Sequence, residues 1–119
     1  MARTMIDKLQ SALYAQSEAL ALRAVRQQAI ASNIANADTP GYKAVDFDFA
    51  RALQAAIRNP GRADAPKLQP LPATQPSADG NTVEMDAERA RFADNAVRYE
   101  AALRALNGQI RTLLDAIRG

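Results

Sequence analysis

Both ends of this chain are long and almost free of helix breakers. Residues 4–36 contain neither proline nor glycine, and residues 86–117 contain no proline and one glycine, Gly108. Read as helices of ~32 residues rising ~1.5 Å each, the two ends span ~48 Å apiece. A compact chain of this length has a radius of gyration of only ~13–14 Å. The roughly fifty residues between them cannot cover two such rods. The helices must pair with each other, with copies of the same chain, or with both.

Periodicity supports the pairing. Thr4-Met5-Ile6-Asp7 has the hydroxyl-x-x-acid form of a helix start. Ile6, Leu9, Leu13, Leu20, Ile30 and Ile34 then follow one alternating three-four spacing, interrupted by Gln16, Arg23 and Gln27. Near the other end Met85, Phe92, Ala96, Tyr99, Leu103, Leu106, Ile110, Leu113 and Ile117 share one heptad frame, with the polar Glu88 between the first two. Asp86 is expected to cap this helix, and Glu84 and Glu88 place negative charge near its positive dipole end. Asp94–Arg98 and Glu100–Arg104 are acid-first i,i+4 pairs. The stripe keeps register through Asn107-Gly108, so a continuous helix with one weak, close-packing point is expected there.

The burial available is modest. Of 119 residues 27 are alanine, whereas Leu, Ile, Val and Phe together number 24. Alanine favours helix but removes little area from water. Such a chain forms helix readily and gains little from folding alone. Residues 1–30 and 95–119 are accordingly expected to stay mobile until assembly orders them.

Between the ends, residues 49–59 read as a short amphipathic helix capped by Asp48, with Leu53 and Ile57 inward. Residues 60–81 hold Pro60, Pro66, Pro70, Pro72 and Pro76, and predict a flexible linker without fixed secondary structure, serving mainly as a spacer. The expected fold is all-α, a single domain over residues 1–119. Long helices at 4–36 and 86–117 pair as a coiled-coil-like core, joined through a turn at 37–48, the short helix and the Pro-rich linker.

Chemistry is sparse. There is no cysteine and no histidine, which removes thiolate sites, disulfides and the commonest metal ligand and general base. No catalytic residue, cofactor or metal site is expected. The net charge of +2 lies in residues 1–36, where Arg3, Lys8, Arg23 and Arg26 face Asp7 and Glu18. The rest of the chain balances, so there is no basic stripe for nucleic acid. No run suits a lipid-spanning segment or a signal peptide, so the expected location is cytoplasmic or reached by a dedicated export machine.

The polar detail concentrates in Ala31 to Lys43, "ASNIANADTPGYK". Thr39-Pro40-Gly41-Tyr42 has the type II turn signature, proline second and glycine third. That leaves Ser32, Asn33 and Asn36 unexplained, since asparagine is a poor helix interior residue. Asn33 and Asn36 share a helical face, and are expected to bond groups across helices, serving contacts between subunits more than the folding of one. Tyr42 offers a ring with a polar tip, suited to an interface.

Ser32, Asn33, Ala35, Asn36, Thr39, Pro40, Gly41, Tyr42 and Lys43, as "SNIANADTPGYK", resemble the amino-terminal signature of the axial proteins of the bacterial flagellum. The segment "NTVEMDAERARFADNAVRYEAALRALNGQI" resembles the passage of those proteins from an Asn-x-Val piece into their last helix, though Thr82-Val83-Glu84-Met85 is more polar than usual. The Asp-Thr-Pro form, Asp46-Phe47-Asp48-Phe49 and the small size are most similar to the proximal-rod members of the basal-body rod family. This resemblance implies a structural subunit of the flagellar basal-body rod that polymerises through its terminal helices, transmits torque and supports motility. It implies as partners copies of itself, other rod subunits, the basal adaptor subunit at the inner-membrane ring and the flagellar type III export gate. It implies residence in the periplasmic rod after export without a cleaved signal peptide. The alternative is a small soluble helical adaptor or export chaperone forming a closed dimer.

Overall fold

The computed structural model describes residues 2–75 and 77–119; Pro76, one of the linker prolines, lies outside the described residues. Three helices dominate: α1 (Ala2–Ala35), α2 (Phe49–Arg58) and α3 (Met85–Arg118). Two-residue strands β1 (Val45–Asp46) and β2 (Gln69–Pro70) pair antiparallel, Val45 opposite Pro70 and Asp46 opposite Gln69. The fold is all-α, with α1 and α3 packed along each other. Side-chain bonds run from Asn33 to Glu88 and from Gln27 and Arg23 to Asn95 and thus make the pair antiparallel. The molecule measures 64 × 25 × 17 Å with a radius of gyration of 18.3 Å, well beyond the compact value of ~13–14 Å.

Helix ends depart from the expected caps in two places. α1 begins before Thr4, so the hydroxyl-x-x-acid motif lies inside its first turns. Asp86 does not cap α3: Glu84 holds the N-cap position without a side-chain cap bond, and Asp86 sits in the first turn with Glu88. The Glu84 carboxylate is drawn instead to Thr74. Asp48 does cap α2, accepting from the Arg51 amide at 3.1 Å.

Segment 60–81 is more structured than its prolines imply. Gln69–Pro70 forms β2, and the Leu71 amide donates to the Ala44 carbonyl at 2.8 Å. Proline is tolerated at such a strand edge because no further ladder needs its missing N–H.

The core sits toward one end. Leu22, Ala29, Ile30, Ala44, Phe47 and Ala56 are its buried apolar residues, half of them alanine. Of the expected helix-pair residues, Ile30 is fully buried and Leu9, Leu13, Leu20, Ile34, Tyr99, Leu103, Leu106 and Leu113 are half-buried. Ile6, Phe92, Ile110 and Ile117 are not inside the pair: their exposures are 51, 40, 42 and 73%. Two helices alone cover one flank of each stripe and leave the other open. α2 docks through Leu53 and Ala56, with Ile57 outward. The small Ala56 lets its carbonyl approach the Tyr14 hydroxyl of α1 at 3.3 Å.

This distribution narrows the expected mobile regions. Leu22, Ala29, Ile30, Glu88 and Asn95 are buried, so residues 22–30 belong to the ordered part. Hydrogen exchange on the monomer is expected to show strongest protection near residues 22–35 and 86–99. The least should fall at residues 3–8 and 110–118, where few apolar contacts cover the backbone.

Candidate functional site

The exit of α1 is an elbow in which three distant segments meet. Its centre is Asn33, 1% exposed. The Asn33 Nδ2 donates to the Val45 carbonyl (2.9 Å) and to Glu88 Oε2 (3.2 Å). Its Oδ1 accepts from the Val45 amide (3.0 Å) and the Tyr42 hydroxyl (3.1 Å). Both donors and both lone pairs of the amide are therefore used. Towards Val45 the side chain acts as one rung of a sheet, satisfying the edge of β1 that β2 does not reach.

Around it the turn closes as its residues dictate. The Tyr42 amide donates to the Thr39 carbonyl at 3.2 Å, and Gly41 has φ 76°, the left-handed value the third position of a type II turn requires. Tyr42 Oη also lies 3.3 Å from Ser32 Oγ. Asn36 turns back on its own helix, Nδ2 to the Ser32 carbonyl at 2.8 Å, and accepts from Thr39 Oγ1 at 3.1 Å. Ala35 and Pro40 are exposed, and Lys43 reaches the Gly80 carbonyl.

As expected, Asn33 bonds across helices, to Glu88 of α3, whereas the side-chain bonds of Asn36 stay within its own helix end and the turn. Asn33 has no bonding capacity left for a partner, and Asn36 serves the local C-terminus. Their polar detail completes the fold of one chain.

The carbonyls at the end of α1 are capped from far along the sequence. Asn81 Nδ2 donates to the carbonyls of Asn36, Ala37 and Thr39 at 2.9, 3.0 and 2.7 Å. Its Oδ1 accepts from the Val83 amide at 2.8 Å, which sets the chain's entry into α3. Beside it, Gly41 N donates to the Asp79 carbonyl, Thr82 N to the Tyr42 carbonyl, and Ala44 N to Thr82 Oγ1, at 2.8, 3.0 and 2.9 Å. The unusual polarity of Thr82 and Glu84 is thus used within the chain.

Along the pair, polar interruptions in one helix meet those in the other. Asn95, 1% exposed, donates to the Arg23 carbonyl (2.9 Å) and Gln27 Oε1 (2.8 Å). Arg23 lies 3.6 Å from the centroid of the Phe49 ring, joining α1 to α2 by a cation–π contact. Burial, then the neighbouring Arg98 and Arg26, lower the Arg23 pKa. Glu88, also 1% exposed, pairs with Arg91 at 2.8 Å. Arg26 holds Asp46 by two bonds, 3.2 and 3.0 Å. Reading the sequence missed Asn95 and Asn81. The signals were present: polar gaps at Arg23 and Gln27 need a polar counterpart, and Asn81 opens the Asn-x-Val piece.

These groups serve packing: Asp46 is bound in an ion pair and Asp48 in a helix cap. Among the described residues no helix is long and apolar enough to cross a membrane.

Comparison with known proteins agrees in position. The sequence profile of the family described as "Flagella basal body rod protein" matches residues 13–43, the last two-thirds of α1 and the turn. The flagellar basal body rod protein FlgB of Escherichia coli (strain K12) is 45% identical over 95% of this chain and 97% of its own length. FlgB of Yersinia enterocolitica is 42% identical over 95% of this chain and 98% of its own, and that of Salmonella typhimurium 41% over 97% and 99%.

Asn81→Ala is expected to destabilise the chain by about 1–3 kcal/mol, the usual cost of leaving buried groups unbonded. Asn33→Ala should cost at least as much, because it frees both the Val45 peptide and Glu88; urea unfolding monitored by circular dichroism measures both. Acid should loosen the loop at residues 74–84. Bonds from the Ser77 hydroxyl and then the Asn81 amide lower the Asp79 pKa, and those from the Thr74 hydroxyl and amide lower that of Glu84. A carboxyl depressed in the folded state stabilises it above the ordinary range near ~4, and that contribution disappears as pH falls through the depressed value. Amide signals of Thr74 and Asn81 should shift in that acid window, and Asp79→Asn with Glu84→Gln should remove the response.

Proposed function

The chain belongs to the flagellar basal body rod protein family, and from that premise we propose how it works as a structural subunit of the basal-body rod. Subunits that stack by heterologous contacts grow a tube instead of closing into a ring. This chain suits that use because its two ends differ. At the elbow end the buried polar groups are bonded within the chain. At the far end, where α1 begins and α3 finishes, Met5, Ile6, Ile110, Leu114 and Ile117 remain exposed. That unfinished apolar flank is the observation that carries the assembly mechanism, and near full-length similarity to FlgB proteins supports the family role.

Its finer placement follows the same reading. The subunit builds the proximal segment of the rod, touching copies of itself, other rod subunits and the basal adaptor subunit at the inner-membrane ring. It reaches the periplasmic rod through the flagellar type III export gate without a cleaved signal peptide, and acts mechanically without catalysis. The family motif from Ser32 to Lys43 sets the angle at which α1 leaves the shared core, so its assembly role is indirect.

Ile110→Ser with Ile117→Ser tests the reading. Both residues are exposed, so monomer stability should change by no more than about 0.5 kcal/mol per substitution. Motility and basal-body formation should be lost while the variant is still made and exported. Intact rods would overturn the proposed role of this flank, and a soluble closed dimer from the unaltered chain would favour the adaptor alternative.

A further inference from the structure

Gly108 lies in the interior of α3, in a chain that elsewhere uses alanine freely. Glycine there is the costlier choice for a helix. Packing does not require it: beyond its chain neighbours and its own turn of helix, a Cβ at Gly108 would meet nothing within 4 Å. Close packing, expected from the sequence, is therefore absent within the chain. Its neighbour Asn107 is exposed and is also a weak helix former. One turn on, Thr112 Oγ1 donates back to the Gly108 carbonyl at 3.0 Å, a contact that competes with the helical bond and favours bending. Gln109 Oε1, at the next position, is buried without a hydrogen-bond partner among the described residues.

Helix behaviour changes across this point. Before it, Tyr99, Leu103 and Leu106 are half-buried and Asn95 is locked to α1. After it, Leu113 alone of the stripe is half-buried, while Ile110 and Ile117 are 42 and 73% exposed and the adjoining Leu114 46%. We propose that Asn107-Gly108 is a hinge in α3, about which residues 109–118 swing as a short lever while residues 85–106 stay fixed to α1. The swing lets the apolar face of Ile110, Leu113 and Ile117 adapt to a neighbouring copy whose orientation the first part of α3 does not set. That use rests on the rod reading; the hinge itself is a property of the isolated chain and is tested there.

The chain has no cysteine, so spin labels at Val97→Cys and Asp115→Cys report only the intended distance. Both positions are exposed and lie on one face, about 27 Å apart if α3 is straight. Pulsed electron resonance on the full chain should show a straight and a bent population. Gly108→Ala should reduce the bent population about fivefold, the factor that alanine for glycine carries in a helix interior. Asn107→Gly combined with Gly108→Ala moves the glycine by one residue and should restore the bent population. An unchanged distribution in Gly108→Ala overturns the hinge. So does failure of the moved glycine to restore it, because the position would then matter for contact instead of bending. If both labelled results hold but Gly108→Ala leaves motility intact, the hinge stands and only its use in assembly falls.

Discussion

A single buried amide organises this molecule. Asn33 bonds the backbone of β1, the hydroxyl of Tyr42 and the carboxylate of Glu88, so one side chain joins the end of α1, the turn and the start of α3. In a chain with few large apolar side chains, general burial cannot hold these segments at one angle. Directional bonds do it instead, and their strength is greatest where water is excluded. An apolar residue at this position would keep the helix but leave the Val45 peptide and Glu88 unbonded.

The same logic extends along the helix pair. An alanine-rich seam with a heptad repeat would tolerate slippage by whole heptads, since each step restores similar packing. Asn95 between Arg23 and Gln27, and Glu88 beside Asn33, break that equivalence. Glu88 and Asn95 are themselves one heptad apart, but their partners differ in kind. Polar pairs of this type specify register more than they add stability. Arg23 extends the constraint to α2 through Phe49, so all three helices depend on the alignment.

Much of this was legible in the residues. Helix lengths followed from the absence of proline, pairing from the stripes, the type II turn from Pro40-Gly41, and the cap of α2 from Asp48. What was not legible depended on distance in sequence. Asn33 reads as a residue awaiting an external partner because Val45 and Glu88 come near it only when folded. Asn81 looks like loop composition until it meets three carbonyls some forty residues upstream. Gln69 and Pro70 carry no strand pattern, and their pairing is imposed by the turn that presents β1. Exposure of Ile110 and Ile117 was also hidden, because a heptad position shows that a residue seeks a partner and not which partner is present.

The cap supplied by Asn81 has a consequence in time. A ribosome or a narrow conduit delivers a chain from its amino end, and α1 is then complete in sequence long before residue 81 emerges. Until it does, the carbonyls of Asn36 and Thr39 have only the turn's own amides, that of Ala37 lacks Asn81, and Asn33 lacks Glu88. The turn and the bonds of Asn33 to Tyr42 and Val45 are local and can form early, but the contacts that tie the elbow to α3 join residues about 45–55 positions apart. The subunit therefore emerges as a chain whose first helix frays at its exit, and it sets only when most of its length is free. Lateness is built into the order of its residues.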